Sequence, residues 1–170
     1  MPIRLVLLSL LLLPGLLFAK DFAELVKEGQ PQLSRVEAEP DSGNGHVATG
    51  TAVAESEPFP VSGKHWANPT RSGFYRDPQP KGQLIHALEH GQIVVYYDNP
   101  GFKALSMLTR LSEQFSQPLS GVIAVPSKGL GGAVVLTAWR YRLRLPAFDE
   151  AAVAAFIDAY MGRGPEGRVR

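Results

Sequence analysis

The chain has no cysteine among its 170 residues. That absence removes disulfides, thiolate metal ligands, thiol nucleophiles and redox dithiols together, along with any lipid anchor attached through a cysteine. A metal site built here has only nitrogen and oxygen ligands, and packing alone must hold the fold. An excess of one charge is lacking too, with 17 Lys and Arg against 16 Asp and Glu. Losing the first nineteen residues takes away only Arg4 among the charged groups and leaves a formal charge near zero. Neither nucleic acid nor an anionic membrane surface is therefore an expected partner. Long apolar runs are missing everywhere except at the N-terminus. There Arg4 precedes an apolar run from Leu5 to Leu13, a break at Pro14 and Gly15, and a small residue at Ala19, the pattern of a secretory signal peptide. A spanning helix needs about 20 uninterrupted apolar residues, and Pro14 followed by Lys20 and Asp21 cuts this run short. Leu17 is large for its place three residues before a cut after Ala19, so an uncleaved membrane anchor is the alternative. The expected location is extracytoplasmic, in the periplasm or secreted, with about 150 residues left for a single hydrophobic core.

Phe22, Leu25 and Val26 have helical spacing within Asp21 to Glu28. From Gln30 to Lys81, Pro, Gly, Ser and acidic residues recur so often that only Val47 to Val53 reads as a strand. His46, His65, Trp66, Phe74 and Tyr75 within that stretch favour an ordered, functional coat over disorder. Beyond Gly82 the periodicities sharpen. Ile93 to Tyr97 is a β-branched and aromatic run ended by Asp98, Asn99 and Pro100, hence a buried strand and a turn. Ala104, Leu108, Leu111 and Phe115 share one face of a helix over Lys103 to Phe115, and Met107 reads as core filler. Gly121 to Val125 reads as a second strand and Ala133 to Leu145 as a long third, with the glycine-rich link Pro126 to Gly132 suited to a hairpin. Asp149 caps a final helix whose Val153, Phe156, Ile157 and Tyr160 share a face. A strand-helix-strand-strand-helix order predicts an α+β fold: a small mixed sheet, a right-handed crossover and both helices on one face. This order is thioredoxin-like without a CxxC, so it speaks to architecture only. The chain then divides into a signal peptide (1–19), a short helix and linker (20–43), one α+β domain (44–166) and a tail (167–170). Within the domain, an irregular histidine-bearing coat covers 44–82 and the core covers 83–162.

All four histidines, His46, His65, His86 and His90, fall in the coat or at its junction with the first core strand. His86 and His90 stand four apart in HALEHG with Glu89 between them. On a helix the two imidazoles share a face about one turn apart, suited to gripping one ion, and Glu89 shares it. On a strand the histidines still face one way while Glu89 points to the other side. The H-x-x-E-H spacing also fits a metalloprotease motif with Glu as general base, but that motif sits on a long helix and Gly91 leaves about two turns here. The plain alternative is a pair of hydrogen-bonded core histidines. Elsewhere the signals are weaker. Arg140, Arg142 and Arg144 alternate onto one strand face and read as a solvated surface. The glycines from Gly129 to Gly132 lack the lysine and following helix of a phosphate loop, and no G-x-S-x-G elbow is present.

Ser62-Gly63-Lys64-His65-Trp66, followed by Leu84 to Tyr97 (LIHALEHGQIVVYY), resembles the domain of unknown function 3105 family, whose members carry SG-x-H and then H-x-L-E-H-G running into a strand. The resemblance spans about Asn44 to Glu166, including His46-Val47, Ala138-Trp139 and Gly164-Pro165-Glu166. Phe59, Lys64 and Gln92 depart from the pattern, and none of these departures removes a histidine. The resemblance implies export or membrane tethering in many members and no established reaction. It also places each histidine inside a shared motif, which implies a four-histidine site at His46, His65, His86 and His90, with Glu89 as a further ligand. Without thiolates, ligand softness favours copper(II) or zinc(II), with nickel(II) as a third option.

Three functions follow as expectations. The preferred one is an exported protein that holds copper or zinc for delivery, storage or sensing, with a metal-exchange protein as its unknown partner. The second is a metalloenzyme with Glu89 as general base, although the balance leans away from an enzyme. The third is a structural or interaction module whose histidines merely order the coat.

Overall fold

The computed structural model describes residues 20–166, so the expected signal peptide and the C-terminal tail lie outside the described residues. Its elements run α1 (Phe22–Gly29), a 3₁₀ turn (Gln30–Arg35), β1 (Glu37–Ala38), β2 (His46–Val47), β3 (His65–Trp66), β4 (Gly73–Phe74), α2 (Lys81–Glu89) and β5 (Ile93–Tyr97). They continue with α3 (Phe102–Gln114), β6 (Ser116–Gln117), β7 (Ser120–Pro126), β8 (Val134–Ala138), β9 (Tyr141–Leu145) and α4 (Glu150–Tyr160). The main sheet has the order β1-β9-β8-β5-β7-β4, with β5 parallel to β7 and antiparallel to β8. This is the mixed α+β architecture expected from the periodicities.

All five residues of β5 are buried because the sheet is covered on both faces, which is why the strand reads as a continuous apolar run rather than an alternation. One set of side chains (Ile93, Val95, Tyr97) meets α1, α3 and α4 through Leu25, Met107, Leu108, Leu111, Val153, Phe156 and Ile157. The other set (Val94, Tyr96) meets α2 and the coat through Leu84, Ile85, Leu88 and Phe59. Helices α3 and α4 thus share a face, as expected, and Met107 is core filler. Asp149 caps α4 by accepting from the Ala152 amide at 3.0 Å.

Three expectations need correction. Of the strand expected over Val47 to Val53 only Val47 is in one, the two-residue β2. Ala133 to Leu145 is two strands, and the hairpin joins β8 to β9 through Trp139 and Arg140, the latter at φ 68°. The link Pro126 to Gly132 makes no hairpin; it carries the chain past β5, which lies between β7 and β8. Crossing one strand spans only about 10 Å at the usual inter-strand spacing, an easy reach for a seven-residue link. The arginine face also differs. Arg142 is buried, its guanidinium contacting Glu39 at 2.8 Å, Glu57 at 3.2 Å and the Phe59 carbonyl at 2.8 Å, because the coat lies over that side of the sheet. Arg144 places its guanidinium 5.2 Å from the centre of the Phe59 ring. Only Arg140 and Arg144 are exposed. Arg142 thereby ties the coat to the sheet at a point remote in sequence from the histidines.

Candidate metal centre

Two short elements of the coat and one helix assemble the histidine cluster. Strands β2 and β3 pair in parallel with His46 beside His65 and Val47 beside Trp66. Paired residues of neighbouring strands project to the same side, so a two-residue ladder is enough to bring residues nineteen apart in sequence onto one face. Strand β3 rests on α2, where Gly82 lets the Trp66 indole lie directly against the helix: a Cβ at Gly82 would stand 2.7 Å from that ring. The indole N–H donates to the Thr51 carbonyl at 2.9 Å, closing the loop between the two strands.

Helix α2 resolves the ambiguity left by the spacing of HALEHG. It is helical through Glu89, so His86, Glu89 and His90 lie on one face while Leu84, Ile85 and Leu88 enter the core. It ends as a Schellman motif, with the Gly91 amide on the Leu88 carbonyl at 2.9 Å and the Gln92 amide on the Ala87 carbonyl at 3.0 Å. Gly91 takes the left-handed conformation this stop requires, at φ 88°.

The ligand-bearing side chains fall into two overlapping groups, His46, His65, His86 and Glu89 in one and His86, His90 and Glu166 in the other. Within each group one ligand atom per residue lies within 4.8 Å of all the others. Three of the four histidines, His46, His65 and His86, thus lie together with Glu89, whereas His90 lies with His86 and Glu166. His65, His86 and Glu89 are buried, whereas His46 stands at the surface.

Two backbone carbonyls fix the orientation of the buried rings. The Nδ1 of His65 donates to the Gly63 carbonyl at 2.9 Å, and the Nδ1 of His86 donates to the Trp66 carbonyl at 2.7 Å. A carbonyl only accepts, so each ring carries a proton on Nδ1 and leaves Nε2 to the cluster. The Nε2 of His65 lies 3.0 Å from Glu89 Oε2 yet makes no hydrogen bond of acceptable geometry. A buried ring nitrogen and a buried carboxylate oxygen thus lie at close range with no hydrogen bond joining them, and a polar atom buried without a partner is costly. The Nε2 of His86 in turn lies 3.0 Å from the Nε2 of His90. Burial holds the His86 imidazole below the ordinary histidine range; the Trp66 carbonyl opposes this, and His65, His90 and His46 reinforce it. His86 is thus kept in the neutral form that a metal ion needs.

Glu166 was not foreseen as part of the cluster. The turn after α4 brings it there, with the Gly162 amide on the Gly91 carbonyl at 2.7 Å and the Glu166 amide on the Glu89 carbonyl at 3.0 Å. Its Oε2 stands 3.7 Å from His90 Nδ1.

A family model described as a protein of unknown function, DUF3105, matches residues 46–170. The chain belongs to the DUF3105 family. The matched region opens on His46 and includes all four histidines, Glu89 and Glu166. No curated protein and no solved structure matches the chain. The DUF3105 assignment names no reaction, so the chemistry rests on the cluster itself. Among the described residues no helix is long and apolar enough to cross a membrane.

Proposed function

We propose that this DUF3105 protein binds a transition-metal ion, copper(II) or zinc(II), outside the cytoplasm and serves its delivery, storage or sensing. The observation that carries this reading is the pair of buried imidazoles, His65 and His86, each held on a backbone carbonyl through Nδ1, which leaves its Nε2 free for a cluster whose ligand atoms, those of His46 and Glu89 included, lie within 4.8 Å of one another. Backbone or carboxylate acceptors on the far ring nitrogen are the usual outer support of a metal-ligating histidine, because they set both tautomer and ring angle. A cation among His46, His65, His86 and Glu89 gives the unpartnered His65 Nε2 and the Glu89 carboxylate a common partner.

Three imidazoles and one carboxylate fill a tetrahedral zinc shell, and nitrogen and oxygen ligands equally suit copper(II). A filled shell favours holding an ion over hydrolysing a substrate, and Glu89, turned toward His65, acts as a ligand rather than a general base. The exported location follows from the N-terminal pattern Arg4 to Ala19. The test is metal analysis of untagged protein taken from its native compartment, followed by equilibrium dialysis against Cu(II) and Zn(II) near neutral pH. One ion per chain is expected, and it is expected to be absent from a His86→Ala, His90→Ala double variant. No bound ion at neutral pH in either experiment would end this reading.

A further inference from the structure

The second ligand group is arranged as a companion to the first rather than as part of it. We propose that His86, His90 and Glu166 form an outer ion position that alternates with the inner one and through which the ion enters and leaves. This inference rests on the metal-binding reading above and assigns a role to residues that the inner shell does not use.

The first argument is that the two groups have one residue in common, His86. Its Nδ1 is engaged by the Trp66 carbonyl, which leaves Nε2 as the single site for a metal bond. One Nε2 binds one ion at a time, so the two positions exclude each other, and an ion moving between them pivots on His86. The distance supports such a pivot. The nitrogens of His86 and His90 are 3.0 Å apart, close to the spacing of two imidazole nitrogens bound at about 2.0–2.1 Å to the same ion.

The second argument is a gradient of exposure. The His65 and Glu89 side chains are 0% and 3% exposed, whereas those of His90 and Glu166 are 17% and 55% exposed. An acceptor carrying its own ligands thus meets the outer group first. His46 also reaches solvent, but an ion leaving on that side abandons the whole shell at once. On the outer route it keeps His86 while it exchanges the others one by one.

The third argument is that Glu166 is placed, not incidental. Residues 162–166 are fastened across the end of α2 by the amides of Gly162 and Glu166. Gly164 is pressed so closely on that helix end that a Cβ would lie 2.1 Å from the Glu89 carbonyl oxygen and 2.5 Å from the Gly91 nitrogen. This position therefore requires glycine for close approach, and the approach carries the Glu166 carboxylate to His90. Gly91 admits the same strap from the other side, where a Cβ would lie 2.7 Å from the Gly162 Cα.

The experiment uses untagged full chain loaded with one equivalent of Cu(II). Its transfer to excess EDTA is followed by stopped-flow recovery of Trp66 fluorescence, which the paramagnetic ion quenches at this distance, in a Trp139→Phe background. Equilibrium dialysis of the same proteins gives affinity. Glu166→Gln removes the outer carboxylate; Gly164→Ala leaves every ligand in the chain but lifts the strap that positions it. Both variants are expected to slow transfer by about tenfold or more, a larger factor than their change in affinity. Copper(II) electron paramagnetic resonance is expected to show two ligand sets in the parent and one in Glu166→Gln. Parental transfer rates in both variants would overturn the proposal. So would an affinity that falls by the same factor as release accelerates, since Glu166 would then be a resident ligand. If Gly164→Ala fails to fold, Glu166→Gln decides alone. A parent that binds no Cu(II) at all refutes the underlying function instead, and the two failures are separate.

Discussion

Glu89→Gln separates an ion site from an ordinary buried ion pair, because the two readings predict opposite signs for its effect on stability. The substitution conserves volume and changes one property, replacing a carboxylate oxygen 3.0 Å from His65 Nε2 with an amide able to donate an N–H. If His65 is neutral, with its proton on Nδ1 toward Gly63, the amide gives that lone pair a hydrogen bond and removes a buried charge. Such a neutral bond is worth about 1 kcal/mol, or about 2–4 °C in Tm for a chain of this size. The metal-free variant is therefore more stable than the parent. With the ion at about 100 times the parental Kd, the parent gains about 2.7 kcal/mol from binding. If losing the anionic ligand weakens binding about 100-fold, the variant gains only about 0.4 kcal/mol under the same conditions. The order of stability then reverses, and the loaded variant melts about 3–5 °C below the loaded parent. Thermal unfolding followed by tryptophan fluorescence, with chelator and then with Zn(II), measures both halves. A simple His65–Glu89 ion pair gives destabilisation in both conditions, since removing one partner strands the other in the interior. A lower Tm for Glu89→Gln in chelator would refute the reasoning.

Protons compete with the ion for the imidazoles, so affinity is expected to fall as pH drops below about 6.5; dialysis showing a flat value between pH 5 and 7 would count against imidazole ligation. The His86 pKa is lowered in the fold, so below the unfolded value of 6.5 the unfolded chain binds more protons, and metal-free stability present above that pH is also lost as pH falls. Urea midpoints at pH 7.5 and 5.5 check the sign. His86→Ala is expected to lower the melting temperature far more in Zn(II) than in chelator, whereas equal losses in the two conditions would support a purely structural histidine. Gly82→Ala places a methyl group 2.7 Å from the Trp66 ring and pushes β3 off α2, so it is expected to weaken Cu(II) binding about tenfold although it touches no ligand. Arg142→Met removes the cation between Glu39 and Glu57, both partly open to solvent, together with the bond to the Phe59 carbonyl, and is expected to destabilise the fold by about 1–3 kcal/mol in denaturant melts.

The periodic elements were legible because burial writes them into the sequence. Ile93–Tyr97 appears with its bounds intact, and Phe102–Gln114 within a residue of the expected Lys103 to Phe115, since each presents a continuous or striped apolar surface to one layer of the core. Strand adjacency was not legible. Nothing in Pro126 to Gly132 distinguishes a hairpin from a crossing past β5, because either link needs only glycine and a few polar residues. The arginine face failed for a related reason: alternation says that Arg142 and Arg144 share a side, but not that Glu39 of the linker and Glu57 and Phe59 of the coat cover part of it. In the cluster, the four histidines and Glu89 were visible as residue types at suggestive spacings. Their carbonyl partners at Gly63 and Trp66 were not, since backbone acceptors leave no mark in a sequence. Glu166 was likewise hidden. The family resemblance includes Gly164-Pro165-Glu166, but nothing in that motif says that a strap carries the carboxylate to His90.

The ending of α2 links these observations into one electrostatic design. His86, Glu89 and His90 all lie in the last turn or at the cap of that helix. The carbonyl ends of its peptide dipoles give this end the character of a partial negative charge, which favours a cation there. The Schellman stop at Gly91 directs the chain away from the helix before another turn can bury His90. The same glycine leaves room for the strap from α4 to dock and to supply a second carboxylate. Negative helix end, buried Glu89, carbonyl-held imidazoles and outer Glu166 thus face one small volume. Among the described side chains close to it, none is a lysine or an arginine paired with these groups. A site meant only to pack histidines would not need so much unbalanced negative character. A site for a divalent cation does, and Gly91→Ala, strained at φ 88° and with a Cβ 2.7 Å from the Gly162 Cα, is expected to shift both the helix end and the strap and to weaken Cu(II) binding in equilibrium dialysis.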